Sequence, residues 1–258
     1  MGPGSLSHRG VHAPLLSFAN VGKRRREGGR ESVVLEHVSF ELQAGSALGI
    51  YGQRRSGKST LLRLSVGLEL SDGGSVRFEG QELAAMSSGE RARLLRGPIA
   101  LLTADGWLPS PGETVMDHVA MSAGSAGLSL REARRRALAA LDRVDVAGVS
   151  AEEMTASLAP ATRARVMLAR ALVREPRLLA VDEPAPLPSL LERERFCALL
   201  RMVAQERSIA LLVASEELSA LQGIASLASL SAGELCSTED HGTVVEFPRR
   251  RVGAGESP

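Results

Sequence analysis

Short apolar runs alternate along the chain with longer segments in which apolar residues recur at helical spacing, and this order predicts the fold. Apolar or alternating runs predict β-strands at residues 15–21, 33–42, 46–51, 75–78, 99–102, 178–181 and 209–213. Helical spacing predicts helices directly after residue 60 and at residues 83–95, 113–121, 129–144, 161–173 and 189–205. Apolar strands that are separated by helices favour a parallel sheet covered on both faces. We therefore predict an α/β protein.

The middle of the chain contains only predicted helices, which indicates an insertion into the sheet-forming core. Segments 22–31 and 72–74 are rich in glycine and charge, so we predict turns there. The predicted domain covers residues 15–240, with a core from residues 15–104 and 171–240 and a helical subdomain at about 105–170. Residues 1–14 are expected to form a flexible N-terminus, and residues 241–258 a flexible basic tail.

Charge and cysteine content narrow the classes of function. With 31 basic and 30 acidic residues, the net charge is +1, so we predict no nucleic-acid partner. Cys197 and Cys236 are too few and too distant in sequence for a disulfide framework or a metal site, which is typical of a reducing compartment. No apolar stretch approaches the roughly 18 residues that cross a bilayer, so a role at a membrane would require a partner.

A glycine-rich loop follows the predicted strand at residues 46–51 and leads into a helix. It consists of Gly52, Gln53, Arg54, Arg55, Ser56, Gly57, Lys58, Ser59 and Thr60. In a loop of this spacing, successive backbone N–H groups point at the phosphates of a nucleotide, Lys58 places its charge between the β- and γ-phosphates, and Ser59 offers a hydroxyl to Mg²⁺. Lys23 and Lys58 are the only lysines among 31 basic residues, so composition does not account for a lysine here. The loop predicts binding of ATP with Mg²⁺.

The strand predicted at residues 178–181 ends in two carboxylates, Asp182 and Glu183. By itself such an ending is more often surface charge. Together with a phosphate-binding loop it indicates a Walker B motif, in which Asp182 holds Mg²⁺ through its water shell and Glu183 orients or deprotonates the attacking water.

Over roughly residues 15–235 the sequence resembles the ATP-binding subunits of ABC transporters. The resemblance rests on the phosphate-binding loop, on residues 163–172 and 176–179, and on Asp182-Glu183-Pro184. Residues 80–93 resemble the branch that releases lipoproteins and exports macrolides. The resemblance implies a P-loop NTPase with a mostly parallel RecA-like core sheet, an N-terminal antiparallel β part and an inserted helical subdomain. It also implies a membrane permease partner, a homo- or heterodimer of ATP-binding subunits, and a cytoplasmic location at the membrane.

The segment that aligns with the family's signature departs from it. In the family, a Leu-Ser-Gly-Gly-Gln sequence opens a helix and donates its hydroxyl and N–H groups to the γ-phosphate held by the opposite subunit. The segment here is Leu158-Ala159-Pro160-Ala161-Thr162. Ala159 has no hydroxyl and Pro160 has no N–H, so we expect poor contact with a γ-phosphate.

Further positions that complete the family's hydrolytic site differ as well. Ala104 replaces a glutamine, residues 215–217 (Ser-Glu-Glu) replace a histidine, and residues 185–189 lack the aspartate of the dimer contact. Residues 24–26 offer arginine where an aromatic would stack on adenine, and Arg55 replaces a glycine of the loop. Removing one positioned donor typically lowers a rate by roughly 10²- to 10³-fold. We therefore predict impaired hydrolysis.

These departures leave three hypotheses. The favoured one is a degenerate ATP-binding subunit docked to a permease, working as a dimer and preferably a heterodimer with an intact partner. The second is a nucleotide-dependent regulatory or interaction module with little ATPase activity. The third is a protein of the same fold that acts on DNA or the ribosome, which the length of 258 residues disfavours because such proteins usually carry two domains or long insertions.

Overall fold

The computed structural model describes residues 13–124, 128–146, 151–183, 187–237 and 245–246. Its strands are β1 (Leu16–Glu27), β2 (Arg30–Leu42), β3 (Ala47–Tyr51), β4 (Gly73–Phe78), β5 (Gln81–Glu82), β6 (Ile99–Thr103), β7 (Leu178–Asp182), β8 (Ala210–Ser215), β9 (Ser226–Ser231), β10 (Glu234–Ser237) and β11 (Val245–Glu246). Its helices are α1 (Lys58–Ser65), α2 (Ser88–Arg96), α3 (Val115–Gly124), α4 (Leu130–Arg143), α5 (Pro160–Leu172) and α6 (Leu190–Arg207). The predicted α/β class is confirmed, with one mostly parallel and one antiparallel sheet.

The mostly parallel sheet has the strand order β10-β9-β3-β8-β7-β6. Its strands from β9 to β6 are parallel, and β10 is antiparallel to β9. Tyr51 at the end of β3 pairs with Ser215 of β8, and Asp182 at the end of β7 pairs with Ala214. The segments that follow these three strands therefore meet at one edge of the sheet, which is where α/β folds bind ligands.

Side chains of the central strands alternate between two apolar cores, one on each face of the sheet. In β7, Leu179 and Val181 belong to one core, and Leu178 and Ala180 to the other. Residues of α5 and α6 fill the first core, while α1 and the antiparallel sheet fill the second. Coverage on both faces is the reason that these strands are apolar throughout.

The antiparallel sheet has the order β11-β2-β1-β4-β5. The predicted turn at residues 22–31 is wrong, because β1 continues to Glu27 and the turn is confined to Gly28 and Gly29, with φ of 56° and 79°. Glu31 lies 3.8 Å from both Arg24 and Arg26 across this hairpin. Paired charges of this kind let a polar sequence form strands, since oppositely charged cross-strand neighbours attract.

Two other local predictions also need correction. The turn predicted at residues 72–74 is wrong for Gly73 and Gly74, which begin β4 at a register irregularity opposite β1. The helix predicted at residues 83–95 is divided into a short 3-10 turn and α2, because Ser87 interrupts it as an N-cap whose side chain and backbone pair reciprocally with Glu90. The sequence patterns did not predict β5, β9, β10 or β11.

The helical part of the chain consists of α3, α4 and α5, which contact one another, and α5 also contacts β6. A bridge between Thr114 and Met154 ties the start of α3 to the segment before α5. Within the predicted tail, Val245 and Glu246 pair with β2. The domain boundaries themselves stay a prediction.

Candidate functional site

The loop between β3 and α1 is held in a curled conformation that its glycines make possible. A Cβ atom on Gly52 would lie 2.5 Å from Ser56 Oγ and 2.6 Å from the carbonyl oxygen of Leu230. Gly57 has a φ of +106°, and a Cβ there would lie 2.8 Å from the carbonyl oxygen of Val34. Neither position has room for a side chain, so both glycines are required by the packing of the loop itself.

Arg55 adopts a left-handed conformation with φ of 66°. This is the position at which the sequence has arginine in place of the family's glycine. A left-handed conformation costs a residue with a side chain roughly 1–2 kcal/mol. The loop thus keeps its shape and accommodates the backbone strain of a larger residue.

Lys58 begins α1, and its side chain is only 6% exposed. Its ammonium donates hydrogen bonds to the carbonyl oxygens of Gly52, at 2.7 Å, and Gln53, at 3.0 Å. It also lies 3.9 Å from Glu183 Oε1 and 3.8 Å from Glu216 Oε1. The single buried cation of the loop is therefore placed between two carboxylates.

Glu183 follows β7 in a left-handed conformation with φ of 59°, and its backbone N–H donates to the carbonyl oxygen of Ala214 at 3.0 Å. Ser215 Oγ donates to its Oε2 at 3.1 Å, while Oε1 is buried and has no hydrogen-bond partner among the described residues. Burial raises the pKa of this carboxyl group, and the Ser215 hydroxyl and the Lys58 charge oppose that rise. Met167 and Phe196 line a small cavity together with Glu183.

A cleft of about 630 Å³ joins the loop to the ends of β7 and β8. It brings together Lys58, Ser59 and Thr60 from the loop and the carboxylates Asp182 and Glu183. Arg54, Arg55 and Gly57 border the same cleft. Gly52, Gln53 and Ser56 instead line a separate cavity of about 390 Å³ on the other side of the loop, beside residues 229–232.

Residues of the β1–β2 hairpin and of the segment after β8 also border the cleft; of these, the sequence places only Arg25 near the nucleotide, as part of residues 24–26 at the adenine position. Arg25 and Ser32, which pair across the β1–β2 hairpin, border it together with the 51% exposed Val33. The sequence identifies Glu216 only as part of the segment that replaces a histidine and does not predict its contact with Lys58. No sequence signal gives such a contact, because it depends on β8 lying between β3 and β7.

The segments that depart from the family pattern keep their backbone frame. Ala159 is the N-cap of α5 without a side-chain hydrogen bond, and Pro160 is the first helical residue. Ala104 lies in a short 3-10 turn directly after β6. Residues 185 and 186 of the dimer-contact segment lie outside the described residues. The structure thus retains the helix start and the turn and lacks the polar side chains.

Comparison with known proteins identifies the family to which this geometry belongs. A family model described as ABC transporter matches residues 35–186, which is more than half of the chain. This chain is a member of the ABC transporter ATP-binding family. The family accounts for the pairing of a phosphate-binding loop with carboxylates at the end of β7, and it makes this chain an ATP-binding subunit with an ATPase fold.

Individual ABC transporter ATP-binding proteins support the assignment. The lipoprotein-releasing system ATP-binding protein LolD of Pseudomonas syringae pv. tomato is 33% identical over 222 residues, which cover 86% of this chain and 96% of that protein. The cell division ATP-binding protein FtsE of Haemophilus influenzae is 34% identical over 170 residues, or 66% of this chain and 76% of that protein. The similarity to LolD confirms the predicted resemblance to the lipoprotein-release branch.

Solved structures agree on the fold. A dimeric ATP-binding cassette in a post-hydrolysis state with ADP and phosphate superposes with a TM-score of 0.76 at 22% identity, covering 85% of this chain and 96% of that one. At this level of identity the similarity establishes the ABC cassette fold. Within the described residues, no helix of this ABC protein is long and apolar enough to span a membrane.

Proposed function

We propose that this ABC subunit binds Mg-ATP in the cleft between the phosphate-binding loop and the end of β7, and couples binding, with weak hydrolysis, to a membrane permease. The observation that carries the proposal is the placement of Lys58, Ser59, Asp182 and Glu183 on one cleft. In this arrangement the loop and Lys58 bind the phosphates.

The donor set fits Mg²⁺. Ser59 contributes a hydroxyl and Asp182 a carboxylate, and both are hard oxygen ligands of the kind that Mg²⁺ takes together with waters and substrate phosphates. The ion would neutralise charge on the phosphates. Glu183 is suited to orient or deprotonate a water, because its buried Oε1 has no hydrogen-bond partner among the described residues.

Weak hydrolysis follows from the groups that this chain lacks. Ala159 and Pro160 offer neither a hydroxyl nor an N–H at the start of α5, and the residue at the end of β8 is Ser215 instead of histidine. We propose a dimer, with a heterodimer favoured, because an intact partner could supply signature donors over Lys58. ATP would then hold two subunits together more than it drives turnover. The relatives' roles in lipoprotein release and cell division favour a permease partner and a position at the cytoplasmic face of the membrane.

The test is nucleotide affinity and turnover of the wild type and Lys58→Ala, each with and without the subunits that co-purify from membranes. We expect wild-type binding of Mg-ATP with slow turnover, and a loss of affinity of about 100-fold or more in Lys58→Ala, since a buried charged contact to phosphate is removed. Lys23→Ala is the matched control, because Lys23 pairs with Asp72 outside the cleft. Rapid turnover by the isolated chain would contradict the weak-hydrolysis proposal. Mg-ATP binding with no permease in any membrane preparation would instead favour a regulatory module of the same fold.

A further inference from the structure

We propose that Glu216 is a specificity-determining residue of the cleft: it competes with phosphate for Lys58, and so weakens binding of a nucleoside triphosphate more than binding of a diphosphate. The proposal rests on the proposed function, since it assigns a selectivity to the same site.

The ammonium of Lys58 has few N–H donors left for a phosphate. It has three N–H donors, and the carbonyl oxygens of Gly52 and Gln53 accept two of them. Glu183 Oε1 at 3.9 Å and Glu216 Oε1 at 3.8 Å bracket the same ammonium. A phosphate that approaches Lys58 must therefore share the remaining donor and lie close to two negative charges.

The backbone on both sides of Glu216 is anchored. Ser215 is 1% exposed, and its carbonyl oxygen accepts from the N–H of Gly52 at 3.2 Å, while its hydroxyl donates to Glu183. The N–H of Glu217 donates back to Ser215 Oγ at 3.1 Å. Because residues on either side are held to the loop and to each other, the backbone of Glu216 is fixed beside the loop, within side-chain reach of Lys58.

The neighbouring Glu217 provides an internal contrast. Its carboxylate lies 3.0 Å from Arg193 of α6 and does not border the cleft. Glu216 borders the cleft, and its side chain is 46% exposed, so replacing it removes a charge without removing core packing. Two consecutive glutamates thus differ in whether they border the cleft.

The carboxylate of Glu216 should affect binding of the γ-phosphate more than binding of the other phosphates. The lysine of such a loop contacts the β- and γ-phosphates, so a carboxylate beside it repels the γ-phosphate of ATP in addition to the β-phosphate common to ATP and ADP. Arg25, Arg54 and Arg55 also border the cleft and attract phosphate, but none of them has Lys58's position at the start of α1. Mg²⁺ would offset part of the repulsion, so the discrimination should be greatest without the ion.

The experiment compares binding of adenylyl imidodiphosphate, a non-hydrolysed ATP analogue, with binding of ADP by equilibrium titration, with and without Mg²⁺. In Glu216→Gln we expect affinity for the analogue without Mg²⁺ to rise about tenfold, which is about 1.4 kcal/mol, and affinity for ADP to rise about threefold or less. Glu216→Asp keeps the charge and should keep the wild-type ratio of the affinities for the analogue and for ADP. Glu217→Gln is the matched control and should leave both affinities within about twofold of wild type, as expected for a charge that faces Arg193.

The outcomes separate this inference from the function on which it rests. If the wild type binds both nucleotides and Glu216→Gln changes neither affinity, or weakens them, Glu216 does not set the selectivity while the proposed ATP site stands. If Glu217→Gln has the same effect as Glu216→Gln, the effect is a general one of net charge and the inference is wrong. If neither wild type nor Glu216→Gln binds any nucleotide, the proposed function fails and this inference fails with it.

Discussion

We propose that the loop between β3 and α1 and the start of α5 both serve nucleotide binding, and the packing of the chain constrains the two regions differently. In the loop, Gly52 and Gly57 have no room for a Cβ atom, and Lys58 is nearly buried. At the start of α5, Leu158 is buried, whereas Ala159 and Pro160 are exposed to solvent. The fold of this chain therefore requires the residues of the loop and does not require any particular side chain at the start of α5.

This difference would allow a chain to keep the phosphate-binding loop while the residues at the start of α5 change. A polar residue at position 159 could cap α5 through a backbone N–H of the first turn, yet α5 forms without that hydrogen bond, so the fold does not depend on one there. Position 160 is the first turn of a helix, where proline fits because its missing N–H would have no partner within the helix. Helix formation at α5 is thus independent of phosphate recognition, and the two properties can be separated by mutation.

The largest expected effect is on ATP hydrolysis and concerns Glu183, which borders the same cleft as the phosphate-binding loop. Glu183→Gln should lower single-turnover hydrolysis by about 10²- to 10³-fold, because it removes the group that orients or accepts a proton from water, while Mg-ATP affinity stays within a few-fold of wild type. Quench-flow measurement in the presence of the co-purifying subunits would record it. Glu217→Gln, whose carboxylate faces Arg193, is the control and should retain turnover. Unchanged hydrolysis in Glu183→Gln would place the water-activating group elsewhere.

The next largest effect is on the contribution of Mg²⁺ to nucleotide affinity. Asp182→Asn should reduce by about tenfold the gain in nucleotide affinity that Mg²⁺ provides. The reason is that an amide oxygen is a poorer ligand for a hard cation than a carboxylate. Binding without Mg²⁺ should change little. Asp72→Asn serves as control, since Asp72 accepts hydrogen bonds from Lys23 and from the backbone of Arg24 outside the cleft. An equal loss with and without Mg²⁺ would indicate that Asp182 supports the loop and does not bind the ion.

The structures of the phosphate-binding loop and of β7 could be predicted from the sequence, because the local residue pattern and the overall fold favour the same conformation in these two regions. The apolar run of β7 and the glycine spacing of the loop predict a buried strand and a phosphate-binding turn without knowledge of the neighbours. The contact of Glu216 with Lys58 could not be predicted, since it arises from strand order. The extension of β1 to Glu27 and the start of β2 at Arg30 were not predicted, because these parts of the strands are stabilised by charge pairs, which do not produce an apolar alternation.

A smaller effect tests the strain inside the loop. Arg55→Gly should raise the free energy of unfolding by about 0.5–1 kcal/mol, because glycine adopts the left-handed conformation of residue 55 without a steric penalty. Arg54→Gly is the matched control: Arg54 is not in that conformation, so the greater freedom of glycine in the unfolded chain should lower the free energy of unfolding. Urea titration of both variants measures the difference. Destabilisation of the same size in both would mean that the arginine side chain at 55 contributes more than its backbone costs.

The smallest effect is the pH dependence that Glu183 gives to folding. Burial raises the pKa of its carboxyl group above the ordinary value of 4.5, so the folded state holds this proton more tightly than the unfolded state does. The contribution to stability is present below pH 4.5 and is lost as pH rises through the raised pKa. Glu183→Gln removes this loss, so the melting temperature of the variant minus that of wild type should increase as pH is raised from 4 to 7. Glu217→Gln should show no such increase, and a flat difference for Glu183→Gln would mean that Lys58 and Ser215 compensate fully for the burial of Glu183.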